Sequence, residues 1–95
     1  MRISVIAALA ALALADTAVV ALAKPPHARI TMAQARAIAL RRAPGRIVDS
    51  EYEKEAGAWR YSFDIRQGRR IHEIGVSAGT GKIVEDKFES LHERD

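Results

Sequence analysis

The chain has 95 residues, of which 48% are hydrophobic and 28% are charged, with a net charge of +3 and no cysteine. Residues 1–23 hold 19 hydrophobic residues, whereas residues 24–95 hold 27 hydrophobic residues among 72 and carry 25 of the 27 charges. A domain of about 70 residues buries only about 60% of its unfolded surface, which excludes TIM barrels, Rossmann domains and hydrolase folds. The absence of cysteine excludes a disulfide framework and a thiolate metal site.

Residues 1–23 have the pattern of a cleavable signal peptide. Arg2 supplies a positive start, Ile3–Ala15 is almost wholly apolar, and Ala21–Ala23 offers the small residues that a signal peptidase needs. The first apolar run is shorter than the roughly 20 residues of a membrane-spanning helix. We expect cleavage after Ala23, or alternatively after Ala15, and a periplasmic or secreted mature chain without a membrane segment. The alternative is an uncleaved anchor.

A helix is predicted after a short spacer. Residues 24–29 contain two prolines and are expected to form a spacer without a core. Thr31 and Gln34 have the spacing of a capping box. Met32–Ala43 is rich in helix-forming residues and places apolar side chains, Ile38 among them, at helical spacing.

The hydrophobic period changes from 3.6 to 2 after the predicted helix. Pro44 disfavours further helix, and Gly45 is expected to cap it in the left-handed conformation. Beyond it, four apolar residues alternate with polar ones, which predicts a half-buried strand: Trp59, Tyr61, Phe63 and Ile65.

Two turns are predicted to flank this strand, at Ala56-Gly57 and Gln67-Gly68. The first would pair Lys54 with Trp59, Tyr52 with Tyr61, Ser50 with Phe63, Val48 with Ile65 and, on the opposite face, Glu53 with Arg60. The second would pair Phe63 with His72, Tyr61 with Ile74 and Trp59 with Val76. Both turns place apolar partners on the face of the aromatic residues, and a one-residue slip would reverse this.

A third reversal at residues 78–81 leads into a short strand over residues 82–86, with Ile83 opposite Val76. Whether Ile83 or Val84 faces inward is left open. Residues 89–95 are expected to form a polar tail. The sequence thus predicts an α+β fold, with one N-terminal helix packed on a four-stranded antiparallel meander. The expected core consists of Ile38, Tyr52, Trp59, Tyr61, Phe63, Ile65, Ile74 and Val76.

The face of the sheet away from the helix is expected to be solvated and mixed in sign, as is usual for antiparallel sheets. Its expected members are Asp49, Glu51, Glu53, Arg60, Asp64, Arg66 and Glu73. The aromatic residues point the other way, so the face lacks the stacking rings of a nucleic-acid platform. The arginine clusters near the helix end and the second turn are interpreted as dipole complementation and solvated turn charges. No nucleic-acid partner is expected.

Two short motifs suggest chemistry that their context does not support. Residues 75–79 match G-x-S-x-G, but Ser77 would end a strand rather than occupy a strand–turn–helix elbow. Gly81-Lys82 is part of a phosphate-loop pattern, but Ile83 stands where that pattern needs Ser or Thr.

The histidines and acids also have structural interpretations. His27, His72 and His92 lack metal-ligand spacing. His72 is expected beside the core, contacting a neighbour, and burial would favour its neutral form, so that mild acid would loosen the fold. Glu51 and Glu53 share a face, where acid–base catalysis or loose Ca²⁺ binding is the alternative to solvated pairing with Arg60.

The order of these features resembles the PepSY domain family, which occurs in peptidase propeptides and small exported proteins. The resembling segments are Ile30-Thr31, Ala35–Leu40, Pro44-Gly45, Trp59–Phe63 and Ile74–Val84. The family's last hairpin typically carries Asp-Ala-x-Thr-Gly-Lys; Thr80, Gly81 and Lys82 match it, whereas Ser77 stands where Asp is usual. The resemblance implies a PepSY-like domain over residues 30–88, without catalytic residues, that binds or inhibits peptidases.

The function expected from the sequence is therefore that of an exported, non-catalytic interaction module without cofactor or metal. Its partner would be another protein, either a peptidase or a membrane sensor, and the oligomeric state is left open. The expected contact surfaces are the open sheet face and the hairpin tips around Gly57 and Gly68. The alternative function is a small periplasmic ligand or divalent-ion sensor that uses the acidic strand over residues 49–55. An enzyme is not expected, because so little apolar sequence remains to build a cleft.

Overall fold

The computed structural model describes residues 24–89, in which one helix lies on one face of a four-stranded sheet. The sheet is an antiparallel meander in the order β1-β2-β3-β4, which confirms the predicted α+β fold. The elements are α1 (Met32–Arg42), β1 (Arg46–Glu55), β2 (Ala58–Gln67), β3 (Arg70–Ser77) and β4 (Ile83–Phe88). The predicted signal peptide lies outside the described residues, as do residues 90–95 of the predicted tail.

The predicted capping box starts α1. The Thr31 hydroxyl accepts a hydrogen bond from the Gln34 backbone N–H at 3.1 Å, and the Gln34 side chain accepts one from the Thr31 N–H at 2.8 Å. Two backbone donors that the helix leaves unpaired are thereby satisfied. Ala35, Ala39 and Ala43 are fully buried against the sheet, so small side chains allow a close approach of the helix backbone.

Gly45 is not the left-handed cap that the sequence predicts. The helix ends at Arg42, and the Ala43 N–H donates to the Ala39 carbonyl. Positive φ angles at described glycines occur at other positions. Gly45 is instead required by a close approach, because a Cβ there would lie 2.4 Å from the Arg66 carbonyl oxygen and 2.9 Å from Ile65 Cγ2.

The first hairpin has the predicted turn and most of the predicted register. Ala56 and Gly57 have φ angles of 52° and 81°, the positive values of a type I′ turn. Four predicted pairs are confirmed: Lys54 with Trp59, Tyr52 with Tyr61, Ser50 with Phe63 and Glu53 with Arg60. The predicted pair of Val48 with Ile65 is wrong, because a bulge after Ile47 places Ile47 opposite Ile65 and leaves Val48 48% exposed.

The second hairpin turns one residue later than predicted. Gln67 pairs with Arg70, so the turn residues are Gly68 and Arg69. A glycine with positive φ at the first turn position is typical of type II′, and Gly68 has a φ of 63°. The predicted pairs are therefore wrong by two residues: Phe63 faces Ile74, Tyr61 faces Val76, and Ile65 faces His72. A shift of two keeps every side chain on its predicted face.

The last strand resolves the alternative that the sequence left open. Ile83 lies opposite Val76, as predicted, and packs against the core. A bulge then turns Val84 outward, where it is 49% exposed. The strand runs to Phe88, two residues beyond the predicted end.

The core lies between α1 and the inward face of β2 and β3. Its largest fully buried side chains are Tyr61, Phe63, Ile65, Ile74 and Val76. Ile38, Tyr52 and Trp59 are partly buried and pack around it.

The segment predicted as a coreless spacer is attached to this core. The Tyr61 hydroxyl donates to the Ile30 carbonyl at 2.7 Å, and the Tyr52 hydroxyl donates to the Pro26 carbonyl at 2.5 Å. His27 stacks on Trp59 with 5.6 Å between ring centroids. The expectation that residues 24–29 have no core contacts is thus wrong, because the Tyr52 hydroxyl, which the sequence pattern cannot orient, holds the backbone at Pro26 and His27 stacks on Trp59.

Gly45→Ala tests the close approach between the helix exit and β2. The added methyl would meet a backbone carbonyl that cannot move independently, so we expect a loss of about 1–3 kcal/mol in the free energy of unfolding. Gly79→Ala is the matched control, since a Cβ there meets only Ser77 Oγ at 4.0 Å, and its effect should stay within about 1 kcal/mol. Urea denaturation measures both, and equal stability of the two variants would contradict this account.

Candidate interaction surface

The face of the sheet that α1 leaves uncovered carries an acidic groove of about 280 Å³. The sequence predicts a face of mixed sign, but the groove lining contains seven carboxylates and a single basic residue. The charged residues that line it are Asp49, Glu51, Glu53, Glu55, Asp64, Glu73, Glu85 and Lys87. Sequence reasoning missed Glu85 and Lys87, because the bulge in β4 decides which of its residues face outward.

A row of four acids on β1 forms one side of this groove. Residues at every second position of a strand lie on the same face, about 6.8 Å apart, so Asp49, Glu51, Glu53 and Glu55 form the acidic row. Glu55 lies 3.9 Å from Arg60 Nη1. Within residues 24–89, the other three members of the acidic row make no ion pair, although Glu53 lies directly opposite Arg60 in the register.

Two cations bridge the opposite side of the groove. Arg60 Nη1 lies 3.7 Å from Glu85 Oε1, across β3. Lys87 Nζ lies 3.6 Å from Glu73 Oε2 and 3.4 Å from Glu85 Oε2. The two carboxylates raise the pKa of Lys87. Neutralisation is therefore concentrated at β3 and β4 and leaves the acidic row on β1 charged.

Burial and neighbouring carboxylates change the pKa of an acid inside the groove. Burial raises the pKa of Glu73 above its usual value, and the nearby carboxylates of Asp64, Glu89 and Glu85 raise it further against the opposing effect of Lys87. At the groove floor, the Ser62 hydroxyl oxygen and Arg60 Nε are buried and make no hydrogen bond with the described residues. Buried polar atoms without partners are uncommon, so the floor offers a hydroxyl to whatever covers it.

A second polar cluster lies on the helix side of the sheet, where it ties α1 to β4. Asp86 accepts from Arg42 Nε and contacts His72 Nε2, each at 2.5 Å. The hydrogen bond with His72, and then that with Arg42, lowers the pKa of Asp86. His72 Nδ1 lies 3.2 Å from the Gln67 side-chain oxygen, which is left for the ring because the Gln67 amide nitrogen donates to the Pro44 carbonyl.

Both ring nitrogens of His72 thus face hydrogen-bond acceptors. The expectation that a neighbour satisfies His72 agrees with this geometry.

The residues of the G-x-S-x-G match and of the phosphate-loop-like pattern make structural contacts in the last turn. The Ser77 hydroxyl accepts a hydrogen bond from the Thr80 N–H at 3.1 Å, and the Thr80 hydroxyl accepts one from the Lys82 N–H at 3.2 Å. Ser77, standing where Asp is usual, therefore supplies the acceptor that holds the turn of Thr80, Gly81 and Lys82. Within residues 24–89, no three His, Asp or Glu side chains are grouped as they would be around a metal ion.

The comparisons with known proteins agree with this architecture. The model of the family described as peptidase propeptide and YPEB domain matches residues 29–87. The chain is also similar to the crystal structure of a "putative lipoprotein" from Clostridium difficile 630, with a TM-score of 0.64 and 21% identity over 70% of this chain and 43% of that chain. At that identity the likeness shows the fold alone, and the chain spans less than half of that protein. No curated protein is significantly similar to the chain. In the part of the chain that the structure describes, no helix is long and apolar enough to cross a membrane.

The contacts of Asp86 predict how acid affects the stability of the fold. In the folded protein the pKa of the Asp86 carboxyl lies below its usual 3.8. The ionised carboxylate therefore stabilises the fold above that pH, and this contribution is lost as the pH falls through the lower folded-state pKa. Asp86→Asn should lower the melting temperature at pH 7 and should show a smaller further loss below about pH 4. Thermal melts from pH 2 to pH 7 measure this.

Glu51→Gln is the control for Asp86→Asn, because Glu51 is exposed and makes no ion pair with the described residues. Its melting curve should follow the wild type across the whole range. An Asp86→Asn protein with the same acid limb as the wild type would show that this contact does not couple folding to pH.

Proposed function

The chain belongs to the PepSY family, the peptidase propeptide and YPEB domain family, and on that premise we propose that it is an exported, non-catalytic module that binds a peptidase and restrains its activity. The observation that carries the proposal is the uncovered acidic face of the sheet. The helix packs on the opposite face, and no element within residues 24–89 covers the acidic face, which can therefore contact a second protein. At about 280 Å³, its groove is smaller than the roughly 300–1,000 Å³ of typical small-molecule pockets, which favours a protein partner.

The proposal of a non-catalytic role is supported by the contacts of the nucleophile and base candidates. The Ser77 hydroxyl holds a turn, and His72 joins Gln67 to Asp86 on the other side of the sheet. A nucleophile needs a base within hydrogen-bond distance, itself oriented by a third group. Within residues 24–89, Ser77 and His72 make no hydrogen bond with each other, so they do not form such a set.

Export is supported by the signal-peptide pattern of residues 1–23 and by the PepSY fold shared with a "putative lipoprotein". The alternative role as a divalent-ion sensor has less support, since the acids on β1 extend along a strand and, within residues 24–89, form no metal-ligand group.

Site-specific photocrosslinking tests the proposal. A photoreactive amino acid at Glu51, on the acidic face, should capture a peptidase in the exporting cell. The same amino acid at Ala37, exposed on the far side of α1, should not capture it. The captured peptidase, once purified, should cleave a peptide substrate more slowly as the module is added. A peptidase whose activity does not change, or capture from both positions alike, would contradict the proposed role of this face.

A further inference from the structure

The first strand is an edge strand with a free side. β1 pairs with β2 alone, and no backbone hydrogen bond from any other described segment reaches residues 46–55. Ten residues long, it presents unpaired backbone donors and acceptors to which another extended chain can pair. Strand addition of this kind is a common way in which a folded domain binds a peptide.

The acidic row determines which chain would pair there. Asp49, Glu51 and Glu53 are not neutralised by any ion pair within residues 24–89, and Glu55 has only a long contact with Arg60. A strand added beside β1 has the same two-residue period. Every second side chain of the added strand would therefore stand next to one carboxylate of the acidic row.

We propose that the free edge of β1 accepts an extended segment of the partner that carries Lys or Arg at alternate positions. The proposal rests on the proposed function, because it specifies the part of the partner that meets the acidic face. The basic side chains would lie on the groove side against the acidic row. The intervening side chains would lie on the helix side, beside Ser50 and the partly buried Tyr52.

Charge also excludes the other extended occupants. A second copy pairing through its own β1 would place carboxylates opposite carboxylates, which is destabilising. Residues 90–95 of the same chain carry Glu93 and Asp95 against a single Arg94, so they do not complement the acidic row.

Binding of synthetic peptides to the folded domain tests the proposal. One nine-residue peptide alternates Arg with Thr, and a second has the same composition with all Arg residues in one block. Fluorescence anisotropy at low salt should show the alternating peptide binding at least about fivefold tighter, because only its charges match the spacing of the acidic row. A third peptide, with Glu in place of Arg, should not bind.

Variants of the domain and of the peptide identify the site. The double variant Glu51→Gln/Glu53→Gln should weaken binding of the alternating peptide roughly tenfold, at about threefold for each exposed ion pair lost. Glu89→Gln removes one charge outside the groove lining and should change binding less than twofold. Methylation of alternate backbone nitrogens in the peptide, which keeps its charge, should abolish binding because it removes the donors that strand addition needs.

Equal affinities of the alternating and block peptides, or undiminished binding of the methylated peptide, would overturn the proposal. So would Ca²⁺ binding that displaces the peptide at equal ionic strength, since the acidic row would then be an ion site. If a peptidase is captured at Glu51 while no peptide binds, this inference fails and the proposed function stands. If the peptide binds at β1 while no peptidase is captured, the proposed function fails and the free edge of β1 remains a site for basic extended peptides.

Discussion

The rest of the structure depends on how the sheet is covered. A four-stranded sheet has two faces, and within residues 24–89 a single helix of 11 residues packs on one of them. The helix can approach closely because it meets the sheet through Ala35, Ala39 and Ala43, which are fully buried. β2 and β3 therefore place nearly all their large apolar side chains on the covered face. The other face must be stable in water, and it is built from charged residues.

This division of labour also separates charge between the two layers. Residues 24–48 contain six Lys and Arg and no acid, whereas residues 49–89 contain nine acids and seven bases. The net charge of +3 therefore hides a basic helix layer and an acidic groove. Fields of opposite sign on opposite sides orient a protein as it approaches a charged partner, and they would present the sheet face to a basic surface.

The contact between the layers is reinforced where the helix ends. Arg42 in the last turn of α1 suits the negative end of the helix dipole, and it also donates to Asp86 on β4. Asp86 in turn meets His72, which is joined through Gln67 to the carbonyl of Pro44. One carboxylate thus connects the end of the helix, the second hairpin and the last strand, and it fixes β4 to the helix layer as well as to β3.

The sequence by itself determined the helix, the faces of the strands and the resemblance to the PepSY family, because capping residues and hydrophobic periods act locally and act in the same way wherever the chain is. The tertiary structure decided what depends on distant backbone. The bulge at Val48 put Ile47 in the place predicted for Val48, and the bulge at Val84 decided that Ile83 packs against the core. The Gly68-Arg69 turn moved the second register by two residues. Gly45 proved necessary because β2 passes close to it, and residues 24–30 are held by tyrosine hydroxyls from two strands. The sequence already placed five acids on the open face, whereas the position of Glu85 in the groove depends on the bulge in β4, which no local pattern reveals.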